Sequence, residues 1–181
     1  MAKIALQTRF IAKLCRPSEG GDWTFLRLPQ DASDQMPARS MVSIEGTMNG
    51  FPFAATLQPD NEGGHWLKVE AAWSEGAQVG MGDEVEFVIE PAAVEPEPEV
   101  PDDLREALAA SPAALAVWND TTAMARRDWI TWMGQGRQAA TRVIRIGKMI
   151  DMLSHGKRRV CCFDRSGIAS KAFCVPLEAG E

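Results

Sequence analysis

Tyrosine is absent from this chain, and histidine occurs only as His65 and His155. Few side chains are therefore available for general acid–base chemistry near neutral pH. The sequence also lacks a nucleophile elbow, a phosphate-cradling glycine loop and a dinucleotide fingerprint. An enzyme is the least expected class, and no catalytic residue, metal ligand or cofactor is assigned. Cysteine is scarce: Cys15, Cys161, Cys162 and Cys174. An adjacent pair with one distant partner is poor spacing for zinc, and no Cys-x-x-Cys supports a redox pair, so reduced thiols are expected. No stretch approaches the roughly 18 apolar residues of a membrane-spanning helix. Residues 1–14 carry Lys3, Arg9 and Lys13 and no unbroken apolar core, so a cytoplasmic protein without membrane insertion is expected. Positive charge is in deficit too. A net charge of −6 argues against the whole chain coating nucleic acid.

What is present is a seam. Residues 90–101 read EPAAVEPEPEVP, with four prolines and four glutamates. Proline removes backbone donors and fixes φ, and the glutamates repel one another, so neither a packed helix nor a central strand fits. The seam divides unlike halves. Residues 1–100 carry seven Lys/Arg against sixteen Asp/Glu, and residues 101–181 carry twelve against nine. The expected organisation is a β-barrel domain at 1–90, a Pro/Glu-rich linker at 91–101, a helical domain at 102–158, and a C-terminal hairpin and tail at 159–181.

The first half alternates with period two and turns often. Strands are expected at residues 4–11, 23–28, 41–46, 51–57, 65–71 and 84–89. Asn49-Gly50 is a strong hairpin signal, because both residues tolerate positive φ. Pro52 places the start of its strand where no ladder donor is needed. Six short strands suggest a closed or nearly closed antiparallel barrel, which removes aggregation-prone edges. Arg39, His65 and Lys68 are the candidate ligand-binding set, able to hold a small anion at the barrel mouth. The plainer alternative has His65 capping a turn and both cations solvated.

The second half reads as helices opening at Asp102, at Ser111-Pro112, near Thr122 and at Arg137. Ser111 is the expected N-cap, with Pro112 at the first helical position. His155-Gly156 is the expected stop of the last helix. Rotation by 100° per residue puts Ala139, Ala140, Val143, Ile146, Gly147, Ile150 and Leu153 on one apolar stripe. Arg137, Arg142, Arg145 and Lys148 fall on the opposite side. Gly147 suggests close approach of another helix. Arg126, Arg127, Arg142, Arg145 and Lys148 are the candidate anion- or partner-binding residues. With Trp118, Trp129 and Trp132 nearby they could hold nucleic acid by phosphate neutralisation and stacking. Alternatively the tryptophans are core, and the arginines face solvent or the chain's own acids.

Two passages carry a resemblance. The first is SMVSIEGTMNGFPFAATLQPDNEGGHWLKV with VGMGDEVEFVIE. The second is VPDDLREALAASPAALAVWND with RRDWITWM and TRVIRIGKMIDMLSHGKR. Together they resemble the bacterial bacteriocin-protection, YdeI or OmpD-associated family. That resemblance implies an α+β chain. A small antiparallel β-barrel, similar to double-split barrels, would be followed by a C-terminal helical domain. It implies a role in bacteriocin or stress tolerance or envelope regulation. It carries over no catalytic residues. Binding of a protein or small-molecule ligand is the first expected function. A nucleic-acid-binding regulator using the basic helical face is the second, and an enzyme with a hidden small-molecule site is the third. Homo-oligomerisation is left open.

Overall fold

The computed structural model describes residues 7–134, 138–160 and 175–179. The expected strand residues Ile4 to Leu6, Arg137, Cys161, Cys162, Cys174 and the centre of the expected C-terminal hairpin lie outside them. The chain forms two compact units that divide at Val94 and Glu95.

The first unit is a six-stranded antiparallel sheet curled into a nearly closed barrel. Its strands are β1 (Thr8–Lys13), β2 (Thr24–Arg27), β3 (Val42–Met48), β4 (Phe51–Pro59), β5 (His65–Val69) and β6 (Glu84–Pro91), in the order β1-β6-β3-β4-β5-β2. A bridge between Cys15 and Phe25 brings the two ends together, with reciprocal N–H···O bonds of 2.8 and 2.9 Å. Asn49 (φ 50°) and Gly50 (φ 85°) make the expected hairpin between β3 and β4. Pro52 is tolerated because β4 pairs with β5 only at Gln58 and Pro59, so no second ladder needs its missing donor.

Alternation sends Phe10, Leu26, Ile44, Leu57, Leu67 and Phe87 into one core. Phe87 stacks on Phe10 at 5.3 Å and meets Phe53 edge-on at 6.1 Å. Two short helices interrupt the strands: α1 (Gln30–Asp34) and α2 (Ala71–Ala77). The strand expected to reach Ala71 therefore stops at Val69. Helix α2 lays Trp73 against Phe53 at 5.1 Å. It also lies so close to Phe51 that a Cβ on Gly76 would overlap the ring. The described tail residues return to the barrel. Ser18 N–H donates to Leu177 at 2.7 Å, and Ala179 N–H donates to Arg16 at 2.8 Å. Val175 packs with Phe25 and Trp66.

The second unit contains α3 (Asp102–Ala109), α4 (Pro112–Asn119), α5 (Ala123–Gly134) and α6 (Ala139–Ser154). Its core holds Leu104, Leu108, Trp118, Trp129, Met149 and Leu153. Ser111 occupies the N-cap position of α4, but its hydroxyl lies 3.3 Å from Ser154 Oγ rather than capping. Gly156 (φ 82°) ends α6 as expected, with its N–H donating to Leu153 at 2.8 Å.

Helix α6 departs from its expected orientation. Val143 and Ile144 are 69% and 58% exposed, while Arg145, Ile146, Met149 and Leu153 are buried. The buried face is turned by about 100° from the Val143 stripe, one residue's rotation. The stripe of short and branched residues is real, but Met149 lies off it, and the core is built on Met149. Among the described residues a Cβ on Gly147 would meet nothing within 4 Å, so no described helix approaches there.

No described helix is long and apolar enough to cross a membrane.

Candidate functional site

The barrel does not assemble Arg39, His65 and Lys68 into one anion site. His65 and Lys68 are three residues apart on β5, so the pleat sends them to opposite faces. His65 is fully buried, and Lys68 is exposed. The His65 ring lies 3.1 Å from Ser40 O through Nε2, and its backbone N–H donates to Ser33 Oγ at 3.0 Å. Its Nδ1 is buried without a hydrogen-bond partner. A proton on Nε2, donated to Ser40, leaves Nδ1 as a bare acceptor in the wall. Arg39 reaches the same end of the barrel, donating to Gly63 O and pairing with Asp34 at 3.0 Å. Lys68 instead caps the Trp23 ring at 5.3 Å and lies 3.9 Å from Glu70.

Trp23 leads to a feature that sequence patterns did not reveal. A cleft of about 230 Å³ opens beside β2, lined by Asp22, Trp23, Thr24, Ser74, Glu75 and Met81 among others. Three separate stretches build it: the entry to β2, helix α2, and the turn at residues 80–81. Gly21 has φ 117°, and a Cβ there would stand 2.8 Å from the indole, so glycine lets the chain pass beneath Trp23. Thr24 Oγ1 is buried and has no hydrogen-bond partner among the described residues. A buried polar group without a partner is costly, and a bound ligand or water can satisfy it. The wall combines Trp23, the two acidic residues Asp22 and Glu75, and Ser74.

Cys15, at the barrel closure, lies 3.3 Å from Glu178 Oε1. Burial pushes its thiol pKa up, and the Glu178 carboxylate adds to the rise. The thiolate that reactive chemistry needs is disfavoured there.

The helical unit commits four of its five candidate cations. Arg126 forms a two-pronged pair with Glu97, at 2.6 and 2.8 Å. Its third nitrogen, Nη1, donates to Thr121 O at 2.7 Å. Arg127 bonds Glu95 at 2.5 Å and Asp128 at 3.0 Å. Burial raises the Asp128 pKa, against the lowering effect of Arg127. Arg142 grips Asp103 at 2.5 and 2.9 Å. Arg145 is buried, donates to Trp132 O and lies over the Trp132 ring at 5.3 Å. Among the described residues Lys148 is exposed and carries no ion pair. The expected continuous basic face is thus broken by pairing and burial. Trp118 and Trp129 are buried, so neither offers a stacking surface.

The Asp103–Arg142 pair has a measurable consequence. The hydrogen bond from Arg142 holds the Asp103 pKa below its ordinary value. A lowered folded-state pKa stabilises above the unfolded carboxyl value, and that contribution disappears as pH falls through the folded value. Both side chains are partly exposed, so solvent screening limits the effect. Arg142→Ala should cost about 0.5–1 kcal/mol at neutral pH and less in strong acid. Urea midpoints at about pH 7 and about pH 2 check this.

Residues 97–156 match the family model described as bacteriocin-protection, YdeI or OmpD-associated, and residues 10–89 match a domain of unknown function, DUF1905. The two matches fall one on each unit, the first on the helices and the second on the barrel. No curated protein matches it. The DUF1905 match covers the barrel from Phe10 in β1 to Ile89 in β6. The YdeI/OmpD-associated match begins at Glu97, the partner of Arg126, and ends at Gly156, the stop of α6. Among the described residues, no three His, Cys, Asp or Glu side chains cluster so as to hold a metal ion.

Proposed function

We propose that the chain is a non-catalytic bacterial binding protein, cytoplasmic and serving stress or bacteriocin tolerance or envelope regulation. Its DUF1905 barrel takes a small ligand in the cleft beside β2. The observation that carries this reading is the cleft itself, walled by Trp23, Asp22, Ser74 and Glu75. Such a wall favours a compact molecule bearing hydrogen-bond donors. A thermal-shift screen of small amines and polyols tests it. A ligand raises the melting midpoint by mass action, and Glu75→Gln should weaken that shift while leaving the unliganded midpoint nearly unchanged. If no such compound shifts the wild-type chain, or Glu75→Gln responds as wild type does, the cleft reading is lost.

The nucleic-acid reading is the alternative, using Arg126, Arg127, Arg142, Arg145 and Lys148. Their commitment to internal acids and carbonyls weighs against it. Each arginine would have to leave a formed pair before neutralising a phosphate. Binding of duplex or single-stranded oligonucleotides should therefore be weak between about 50 and 200 mM salt. Submicromolar binding that an Arg142→Ala, Arg145→Ala double variant abolishes would reverse this ranking. An enzyme with a hidden small-molecule site is the third reading, and turnover of a compound found in the screen would support it.

A further inference from the structure

The Pro/Glu seam is built into the helical unit from Glu95 onward. Glu95 bonds Arg127, and Glu97 grips Arg126 with both oxygens. Three residues further on, Val100 packs against the helical core, and its carbonyl accepts from Arg105 at 2.9 Å. The two arginine side chains are only 16% and 11% exposed, but Glu97 is 60% exposed, so dissolved ions can still reach and screen its pair. Pro96 and Pro98 restrict the segment before it docks, so ordering it loses little chain entropy. On the other side, Ala92 N–H still donates to Ser43 O in β3, at 2.9 Å. Only Ala93 and Val94 lie between the last hydrogen bond to the barrel and the first ion pair to the helices.

We infer that residues 95–100 are an electrostatic latch that sets the length of the tether between the two units. Docked, the tether is Ala93 and Val94. Undocked, it runs from Ala93 to Pro101. At about 3.1 Å per residue for an extended proline-rich chain, release adds about 20 Å of reach. The latch draws its hold from the arginines that the nucleic-acid reading would use, so Arg126 and Arg127 cannot serve both at once. High ionic strength or a competing polyanion is the signal that would open it.

The test uses the full chain and a protease that cuts after glutamate. Glu-Pro bonds resist it, which leaves Glu99–Val100 as the reporter bond in the segment. Glu95→Gln with Glu97→Gln should speed that cut at least about tenfold, as local opening exposes the backbone. It should also broaden the distance distribution between spin labels placed one in each unit. Raising salt from about 50 mM to about 1 M should move wild type towards the variant, which separates release from any folding defect. Combining Glu95→Arg and Glu97→Arg with Arg126→Glu and Arg127→Glu should restore protection. Unchanged cleavage and an unchanged distance distribution in the neutralised variant would overturn the latch. So would a charge-swapped chain as open as the neutralised one.

Discussion

Gly46→Ala is expected to cost the barrel about 4 kcal/mol or more, among the larger effects a single methyl can have. Gly46 stands opposite Ile89, where β3 pairs with β6 near the middle of the sheet order. A Cβ there would overlap the Val88 carbonyl oxygen and stand 2.9 Å from Ile89 Cα. Both neighbours are backbone atoms of a paired strand, so no side chain can swing aside. The two strands would have to part, and their ladder with them. The glycine is required for space rather than for a left-handed φ. Gly50→Ala is the contrast. There a Cβ meets nothing, and the cost is the strain of φ 85° in the hairpin, about 1 kcal/mol. Denaturant unfolding of both variants, followed by near-UV circular dichroism, measures the difference. Equal midpoints for the two would show that β3 and β6 are not held so closely.

The same close approach shows what the sequence could and could not reveal. Period-two alternation marks β1 and β6, which keep one face in the core and one in solvent, while β2, β3 and β5 bury runs of consecutive residues. Asn49-Gly50 marked its hairpin because φ at both positions is a local property. The closure at Cys15 and Phe25 was hidden, since a single bridged pair leaves no periodicity. Helices α1 and α2 were hidden as well, because five and seven residues give too few turns for a 3.6-residue period to show. The α6 face was misplaced for a chemical reason. Rotation from Val143 puts Arg145 opposite the apolar stripe, yet a carbonyl and an indole face satisfy it inside. Glu95 and Glu97 looked like free linker charges, because their partners lie some thirty residues ahead in sequence. The cleft drew its walls from three segments with no shared motif, so Thr24 and Ser74 carried no local signal. The Arg39, His65, Lys68 grouping failed by parity: positions three apart on a strand cannot share a face.

Trp129→Ala is expected to unfold the helical unit. Trp129 is fully buried and is the largest such side chain among the described residues. It lies on α5, meets Trp132 edge-on at 6.0 Å, and donates its indole N–H to Arg158 O at 3.3 Å. Truncation removes the packing, opens a cavity and leaves that carbonyl without its donor. Buried tryptophan-to-alanine changes cost about 3–5 kcal/mol. A small domain holds about 5–15 kcal/mol in total, and a unit of this size sits near the lower end. Most of its stability would therefore be lost. Trp129→Phe keeps much of the volume and should lose about 1–2 kcal/mol, through the missing hydrogen bond and a smaller void. Hydrogen exchange read by mass spectrometry separates the consequences by element. In Trp129→Ala, amides of α5 and α6 should exchange at nearly unfolded rates. Those of β3 and β6 should stay protected, because the barrel core of Phe10, Ile44, Leu67 and Phe87 is intact. Protection of α5 and α6 at wild-type levels would mean that Trp129 does not anchor the helical core. Loss of protection in β3 and β6 as well would mean that the two units unfold as one.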